Sequence, residues 1–394
     1  MSDVMVFTPA NDMTGGNARI LKVLVHFPRG RYILAMPRNR KRQLLEKILS
    51  LSPDEKIIGL VTDAYELRDF DNGILGYIKY GVYVGNIAKE LGVELVYFPH
   101  EHTYIPLGLR MSKVKWTELL QLTPVVGSLT IEDGKGISLL RQNLKLRGYG
   151  PKAQLKAYVR LKLFEYAIRG VPVFAVSKSI PYELAKLGIM ADVRVLEPPL
   201  GIEPCPKIAN YEKEYDIAFH ARIIPEKGIF DFLYTVKLLL KSFNNLHAVV
   251  IGFAEEEVMY HIIKVARELG IANNIHFAFN AQESEVYELL PRTKLLLYPS
   301  RLDSFSLSVL RSLSCGVPVV AYNIPAIRFN YRTSAVVKVS ALNLLELAHK
   351  TREILSEERW KELRDEALKF TSRFKWEEVA KAEWYSLQSL LNTT

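Results

Sequence analysis

Two cysteines in 394 residues, Cys205 and Cys315, are too few for a framework of staples or a four-ligand zinc site, so the sequence predicts a reducing cytosol as its setting. Long apolar runs are also missing. The best uncharged run, Ser312 to Ile327, is broken by Gly316, Pro318 and Pro325, which argues against a membrane span. The opening residues MSDVMVFTPAND lack the basic start and small-residue cleavage site of a secretory signal. No internal repeat, low-complexity tract, zinc-finger, RNP or helix-turn-helix pattern is present, and a nucleic-acid partner is not expected. What remains is an ordinary globular balance, 49% apolar and 24% charged, in a chain long enough for two domains or three.

The net charge of +9 is unevenly placed. Residues 1 to 200 hold 28 basic and 19 acidic side chains, whereas residues 201 to 394 hold 24 of each. The densest stretch runs from Arg141 to Arg169, with Glu165 as its single acid. There Lys152, Lys156 and Arg160 recur at spacing four beside a stripe of Leu155, Val159, Leu163 and Tyr166. A helix of this pattern suits an anionic membrane surface, and equally a helix packed on its own sheet with a solvated lysine face.

Short apolar or β-branched runs alternate with helical patterns along the whole chain. Strands are expected at Val4 to Phe7, Tyr32 to Met36, Ile57 to Val61, Glu94 to Phe98, Pro124 to Leu129, Val171 to Val176 and Val193 to Leu196. In the second half they are expected at Tyr215 to Phe219, Ala248 to Ile251, Ile275 to Phe279, Leu295 to Tyr298 and Pro318 to Ala321, with helices and no further strand after that. Strands separated by helices imply right-handed crossovers and parallel sheets. The proline-rich segment Glu197 to Pro206 reads as a linker. The expected fold is therefore α/β: two doubly wound Rossmann-like domains, 1–199 and 200–375, facing a cleft, with a C-terminal helix over 376–394 crossing back to the first.

Three segments carry chemistry. The loop Thr8 to Asn17 places Gly15 and Gly16 before a helix expected near Asn17, a weak phosphate-loop signal that is neither a dinucleotide fingerprint nor a Walker loop. After Tyr215 to Phe219, the stretch His220 to Gly228 sets Arg222 and Lys227 around a turn at a strand's carboxyl end, where two cations and a helix start can converge on one anion. After Tyr298, Asp303 precedes Ser304, Phe305, Ser306 and Leu307 at an expected helix start, with Arg311 eight residues beyond the acid. Asp303 there could equally serve only as an N-cap.

Together these segments resemble the retaining GT-B glycosyltransferases of family 4. Ala221-Arg222 through Lys227-Gly228 is similar to the family's Gly-Arg-x-x-x-x-Lys-Gly, whose cations hold the donor diphosphate. Asp303 to Arg311, followed by Cys315-Gly-Val-Pro-Val-Val-Ala321, is similar to its paired-glutamate segment and the strand after it. The resemblance implies transfer of a sugar from a nucleotide-diphosphate sugar with retention, without metal or other cofactor, and Gly15 and Gly16 lying near donor phosphates and acceptor. Ser304 to Leu307 would bind the donor through their amides. It implies an enzyme whose first domain reads the acceptor, expected to be a glycan or lipid-linked; the few cysteines make the expected setting cytoplasmic, and the basic stretch Arg141 to Arg169 adds an anionic membrane face as a further expected partner.

The chain departs from that family at three places. Asp303 is one methylene shorter than the usual first glutamate, and Arg311 stands where the second would accept hydrogen bonds from ribose hydroxyls. A guanidinium accepts none. The family's histidine after the strand expected at Pro124 to Leu129 is replaced by Thr130, with Glu132 and Asp133 following. Helper groups are sought in Glu132 and in His100 or His102, which flank Glu101 and point apart on an extended chain, against metal binding. Asp69-Phe70-Asp71 reads as a polar turn before Gly73 rather than a metal motif. The competing functions are a relative that binds sugar or nucleotide without transfer, and a nucleotide-sugar epimerase or phosphorylase of the same fold.

Overall fold

Alternate residues of the first strand, β1 (Val4–Phe7), enter two different cores: Val4 and Val6 join one, Met5 and Phe7 the other. The same alternation holds for Leu95 and Tyr97 against Val96 and Phe98 in β4 (Leu95–Phe98). Both faces of this sheet are thus covered, as a parallel sheet with helical crossovers requires. The computed structural model describes residues 3–13, 15–50, 54–206 and 212–392. They divide into two units, one of Met1–Gly201 with Phe374–Thr394 and one of Ile202–Arg373.

In the first unit β2 (Tyr32–Pro37), β3 (Tyr65–Leu67), β5 (Trp116–Leu120), β6 (Val173–Ala175) and β7 (Val193–Val195) complete a seven-stranded sheet of order β3-β2-β1-β4-β5-β6-β7. Every pair in it is parallel. In the second unit β8 (Tyr215–His220), β9 (Ala248–Gly252), β10 (Ile275–Phe279), β11 (Thr293–Tyr298), β12 (Val319–Tyr322) and β13 (Val336–Val339) form a parallel sheet of order β10-β9-β8-β11-β12-β13. The fold is that of two Rossmann-like units.

Three expectations for the elements are corrected. Ile57 to Val61 is not a strand but part of helix Glu55–Thr62. Asp54 caps that helix by accepting the Lys56 N–H at 3.0 Å, and Ile57 and Val61, four apart, are its buried residues. Pro124 to Leu129 is an irregular turn, bridged between Thr123 and Gly127, with Val125 at φ 74°. The strand lies earlier, at Trp116–Leu120, where the acid Glu118 interrupts the apolar pattern; burial pushes that carboxyl well above its ordinary value. Finally, β13 lies within the region after Ala321 read as helices alone, so the second sheet gains a strand there.

The helix Trp376–Leu391 belongs to the first unit, where Val379, Ala380, Leu387 and Leu390 join the core containing Val4 and Val6. A buried ion pair fixes it: Arg19, in helix Gly15–Leu24, donates to Glu383 at 2.6 Å and to the Pro199 carbonyl at 3.0 Å, while Tyr97 donates to the other Glu383 oxygen at 2.7 Å. The two cysteines also depart from expectation, since Cys205 and Cys315 are joined in a disulfide within the second unit. The bond ties the end of the proline-rich segment to the C-terminus of helix Leu307–Ser314.

Candidate functional site

In the second unit the strand order reverses between β8 and β11, and doubly wound sheets bind ligands at the carboxyl ends beside such a reversal. The two loops leaving those strands are His220 to Gly228 and Pro299 to Ser306, the segments singled out in the sequence. Gly228 allows them to meet: its φ is 80°, and a Cβ there would lie 2.1 Å from the Pro299 carbonyl oxygen, so only glycine fits. The loops are then stapled together. Arg301 donates to both Asp231 carboxylate oxygens, at 2.9 and 3.0 Å, its backbone N–H donates to the Glu226 carbonyl, and Tyr322 donates to Asp231 at 2.8 Å.

Lys227, in the short 3₁₀ turn Pro225–Lys227, extends its ammonium to the Asp303 carboxylate at 2.8 Å and to the Leu302 carbonyl at 2.8 Å. Tyr298, at the end of β11, donates to the same Asp303 oxygen, and the Ser304 N–H donates to the other at 2.8 Å. Burial alone would raise the Asp303 pKa, but the Lys227 charge overrides it and holds the carboxyl below its ordinary value. For Lys227 burial favours the neutral form, and Asp303 and Tyr298 outweigh this to hold the ammonium above its usual range. Both groups are therefore charged at neutral pH. Arg222 sits exposed just past β8, and among the described residues its guanidinium has no ion-pair partner.

The alternative of Asp303 as N-cap does not hold. The cap of helix Leu307–Ser314 is Ser306, at φ 78°, whose hydroxyl accepts the Val309 N–H at 3.3 Å. Asn330 and Tyr331 hold the loop from below by donating to the carbonyls of Ser304 and Ser306, at 3.2 and 2.6 Å. Phe305 is buried and Leu307 partly exposed, so these two serve the helix start through backbone and packing. The first amides of a helix have no acceptor within it, which leaves this end suited to an anion. Arg311, one turn on, donates to Glu283 at 2.7 Å and stacks over the Tyr287 ring at 5.3 Å. Neither Glu283 nor Tyr287 stood out in the sequence, because nothing in spacing links residues 28 apart.

The first unit repeats the arrangement around its own reversal, between β1 and β4. The helix after β1 opens at Gly15 rather than near Asn17, and Thr14 lies outside the described residues. Gly16 faces Gln121, whose side-chain oxygen would be 1.7 Å from an added Cβ. His100 is half-buried and bonded to the Thr8 hydroxyl at 2.7 Å, and the desolvation of its ring lowers its pKa to about 3. His102 points elsewhere, its Nδ1 accepting the N–H groups of Tyr104 and Ile105 at 3.1 Å. Glu132 is drawn off to the Tyr182 hydroxyl at 2.6 Å, away from the Thr8–His100 pair in its bonding. Missed in the sequence are Gln121 and Glu101, the latter accepting the Gln121 N–H at 3.1 Å. Asp69 accepts the Asn39 N–H at 2.9 Å in the turn before Gly73. Among the described residues no group of three or more His, Cys, Asp or Glu is placed to hold a metal.

Below the turn Thr123 to Gly127, Glu183 is hydrogen-bonded to Thr123 and burial raises its pKa to about 8. A value above the ordinary 4.5 means the folded chain holds this proton more tightly than the unfolded one. The stability so gained is complete below pH 4.5 and is lost as pH rises toward 8. Glu183→Gln is therefore expected to stabilise the protein above pH 8 by on the order of 2 kcal/mol, with little effect at pH 4. Urea midpoints at the two pH values measure it, and equal shifts at both would contradict the assignment.

The basic stretch forms helices Gly136–Leu146 and Pro151–Ile168. The second buries Leu161, Phe164, Ala167 and Ile168, not the stripe read from the sequence. Leu155, Val159 and Tyr166 are 62%, 50% and 52% exposed, beside exposed Lys152, Lys156 and Arg160. No helix among the described residues is long and apolar enough to cross a membrane.

Residues 205–369 match the family model "Glycosyl transferases group 1". The whole chain is similar in structure to a sucrose-phosphate synthase from Thermosynechococcus elongatus, with a TM-score of 0.72, 13% identity and 100% of both chains covered. A glycosyltransferase from Rickettsia africae aligns at a TM-score of 0.70 and 14% identity over 100% of this chain and 99% of that one. The Anabaena protein HepE, solved in complex with UDP, aligns at 0.68 and 15% identity over 99% and 100%. No curated protein matches the sequence significantly. The second unit thus carries the group 1 glycosyl transferase pattern, on a chain of the GT-B fold.

Proposed function

We propose, from a second unit that carries the group 1 glycosyl transferase pattern, that the protein transfers a sugar from a nucleotide-diphosphate sugar to an acceptor with retention of anomeric configuration. The observation that carries this reading is the Lys227–Asp303 pair, fixed at the carboxyl ends of β8 and β11 beside the start of helix Leu307–Ser314. The departing group is a diphosphate, so stabilising its charge is the main requirement. Lys227, Arg222 and the helix amides would supply that without a metal, while Asp303, held ionised by Lys227, would accept the hydrogen bond of a hydroxyl on the transferred sugar. The bond from the anomeric carbon to phosphate oxygen breaks, the acceptor oxygen bonds to that carbon on the same face, and the acceptor proton passes to the leaving phosphate.

The first unit takes the acceptor in this reading, with His100, neutral at physiological pH, and Gln121 offering hydrogen bonds near the Gly15–Gly16 turn. The exposed Leu155, Val159 and Tyr166 beside Lys152 and Lys156 support an acceptor carried on an anionic membrane. The test is one reaction series: UDP-, GDP- and ADP-sugars with EDTA present, in vesicles with and without anionic lipid. The expected results are a glycosylated product of unchanged anomeric configuration and recovery of the protein with anionic vesicles. Nucleotide binding without transfer would refute the enzymatic reading, and equal recovery from both vesicle types the membrane one.

A further inference from the structure

The position that sets this chain apart, Arg311, is not isolated. Its Nη2 donates to Glu283 Oε1 at 2.7 Å, and its guanidinium lies 5.3 Å from the Tyr287 ring centre. Two buried nitrogens of the same neighbourhood, Arg311 Nε and His220 Nδ1, have no hydrogen-bond partner among the described residues. His220 is 92% buried, being 8% exposed, at the end of β8, close enough to feel the Arg311 charge. Unpartnered buried nitrogens are uncommon in a folded protein and point to a ligand that completes them.

The spacing says which part of a ligand reaches this place. A diphosphate seated at the first amides of helix Leu307–Ser314 leaves Arg311 one turn further on, about 6 Å along the axis. The group attached next to a nucleotide's diphosphate is its ribose. A ribose offers two adjacent hydroxyls, and a carboxylate can accept from both, which a guanidinium cannot. Glu283 has one oxygen on Arg311 and its side chain is 57% exposed, so its other oxygen remains available.

We propose that Glu283, held in place by Arg311, accepts the hydrogen bonds of the donor ribose hydroxyls and so replaces the acid absent from position 311. The inference rests on the donor assignment above. Arg311 is then a positioning residue, acting through Glu283, with Tyr287 beneath it.

The test measures binding of UDP, GDP and ADP, and of their 2′,3′-dideoxy counterparts, to the full chain by calorimetry. The wild-type protein is expected to prefer its ribonucleotide over the dideoxy form by on the order of 10- to 100-fold. Glu283→Ala is expected to abolish that preference while leaving dideoxy affinity unchanged, and Arg311→Ala to reduce it. Glu283 is exposed, so its truncation spares the core. If Glu283→Ala keeps the ratio, or weakens both ligand types alike, the inference is overturned while the donor assignment stands. If the wild-type protein binds no nucleoside diphosphate, both fall together.

Discussion

Arg19→Ala is expected to lower unfolding stability by about 3 to 5 kcal/mol, because it strands the Glu383 carboxylate in a site where both partners are 2% exposed. The loss has two sources. Glu383 would retain only the Tyr97 hydroxyl at 2.7 Å, and the Pro199 carbonyl would lose its donor. Replacing both members together, Arg19→Met with Glu383→Leu, removes the charges as a pair and is expected to return most of that stability, as buried pairs can be exchanged for apolar groups at little cost. Chemical denaturation of the three proteins measures this. A single variant within about 1 kcal/mol of wild type would show that the pair does not hold the last helix.

Lys227→Ala is expected to reduce kcat/KM for transfer by about 100-fold, roughly 3 kcal/mol, the upper range for one charge-assisted contact. In the proposed reading it removes a cation that would face the diphosphate, and it takes from Asp303 its ion-pair partner. With Lys227 gone, burial still raises the Asp303 pKa, and only the bonds from Tyr298 and the Ser304 N–H oppose it. The net change is upward. The acid limb of the rate profile should therefore move to higher pH in the variant, a shift that the loss of a purely structural contact would not give. Steady-state rates between pH 4 and 8 would show it, and an unchanged rate in Lys227→Ala would remove the lysine from the site.

Much of this arrangement was legible in the sequence, and the reasons differ by element. Strands buried on both faces, such as Val4–Phe7 and Ala248–Gly252, announce themselves as unbroken apolar runs. Glycine and proline mark the loop where Lys227 turns, since Gly228 has a backbone need no other residue meets. Trp116–Leu120 was hidden because a strand with Glu118 at its centre looks like a surface segment, whereas the fold buries that acid on the sheet. Ile57 to Val61 reads as a strand because five apolar or small residues carry no visible period, and the cap at Asp54 is what decides for a helix. Glu283 lay beyond reach for another reason: its partner is on a different helix, and only the ordering of strands brings them together. The disulfide is similar, joining residues separated by 110 positions.

The return of Phe374–Thr394 to the first unit makes the two halves unequal as pieces of chain. The second is one continuous stretch, Ile202–Arg373, and could be expressed as such with both its cysteines inside. The first is not: cut at Gly201, it would be left with Phe27, Arg19 and Tyr97 uncovered, where Trp384 and Glu383 belong. On the ribosome, too, that half stays unfinished until helix Trp376–Leu391 has emerged, after its neighbour has already had the chance to fold.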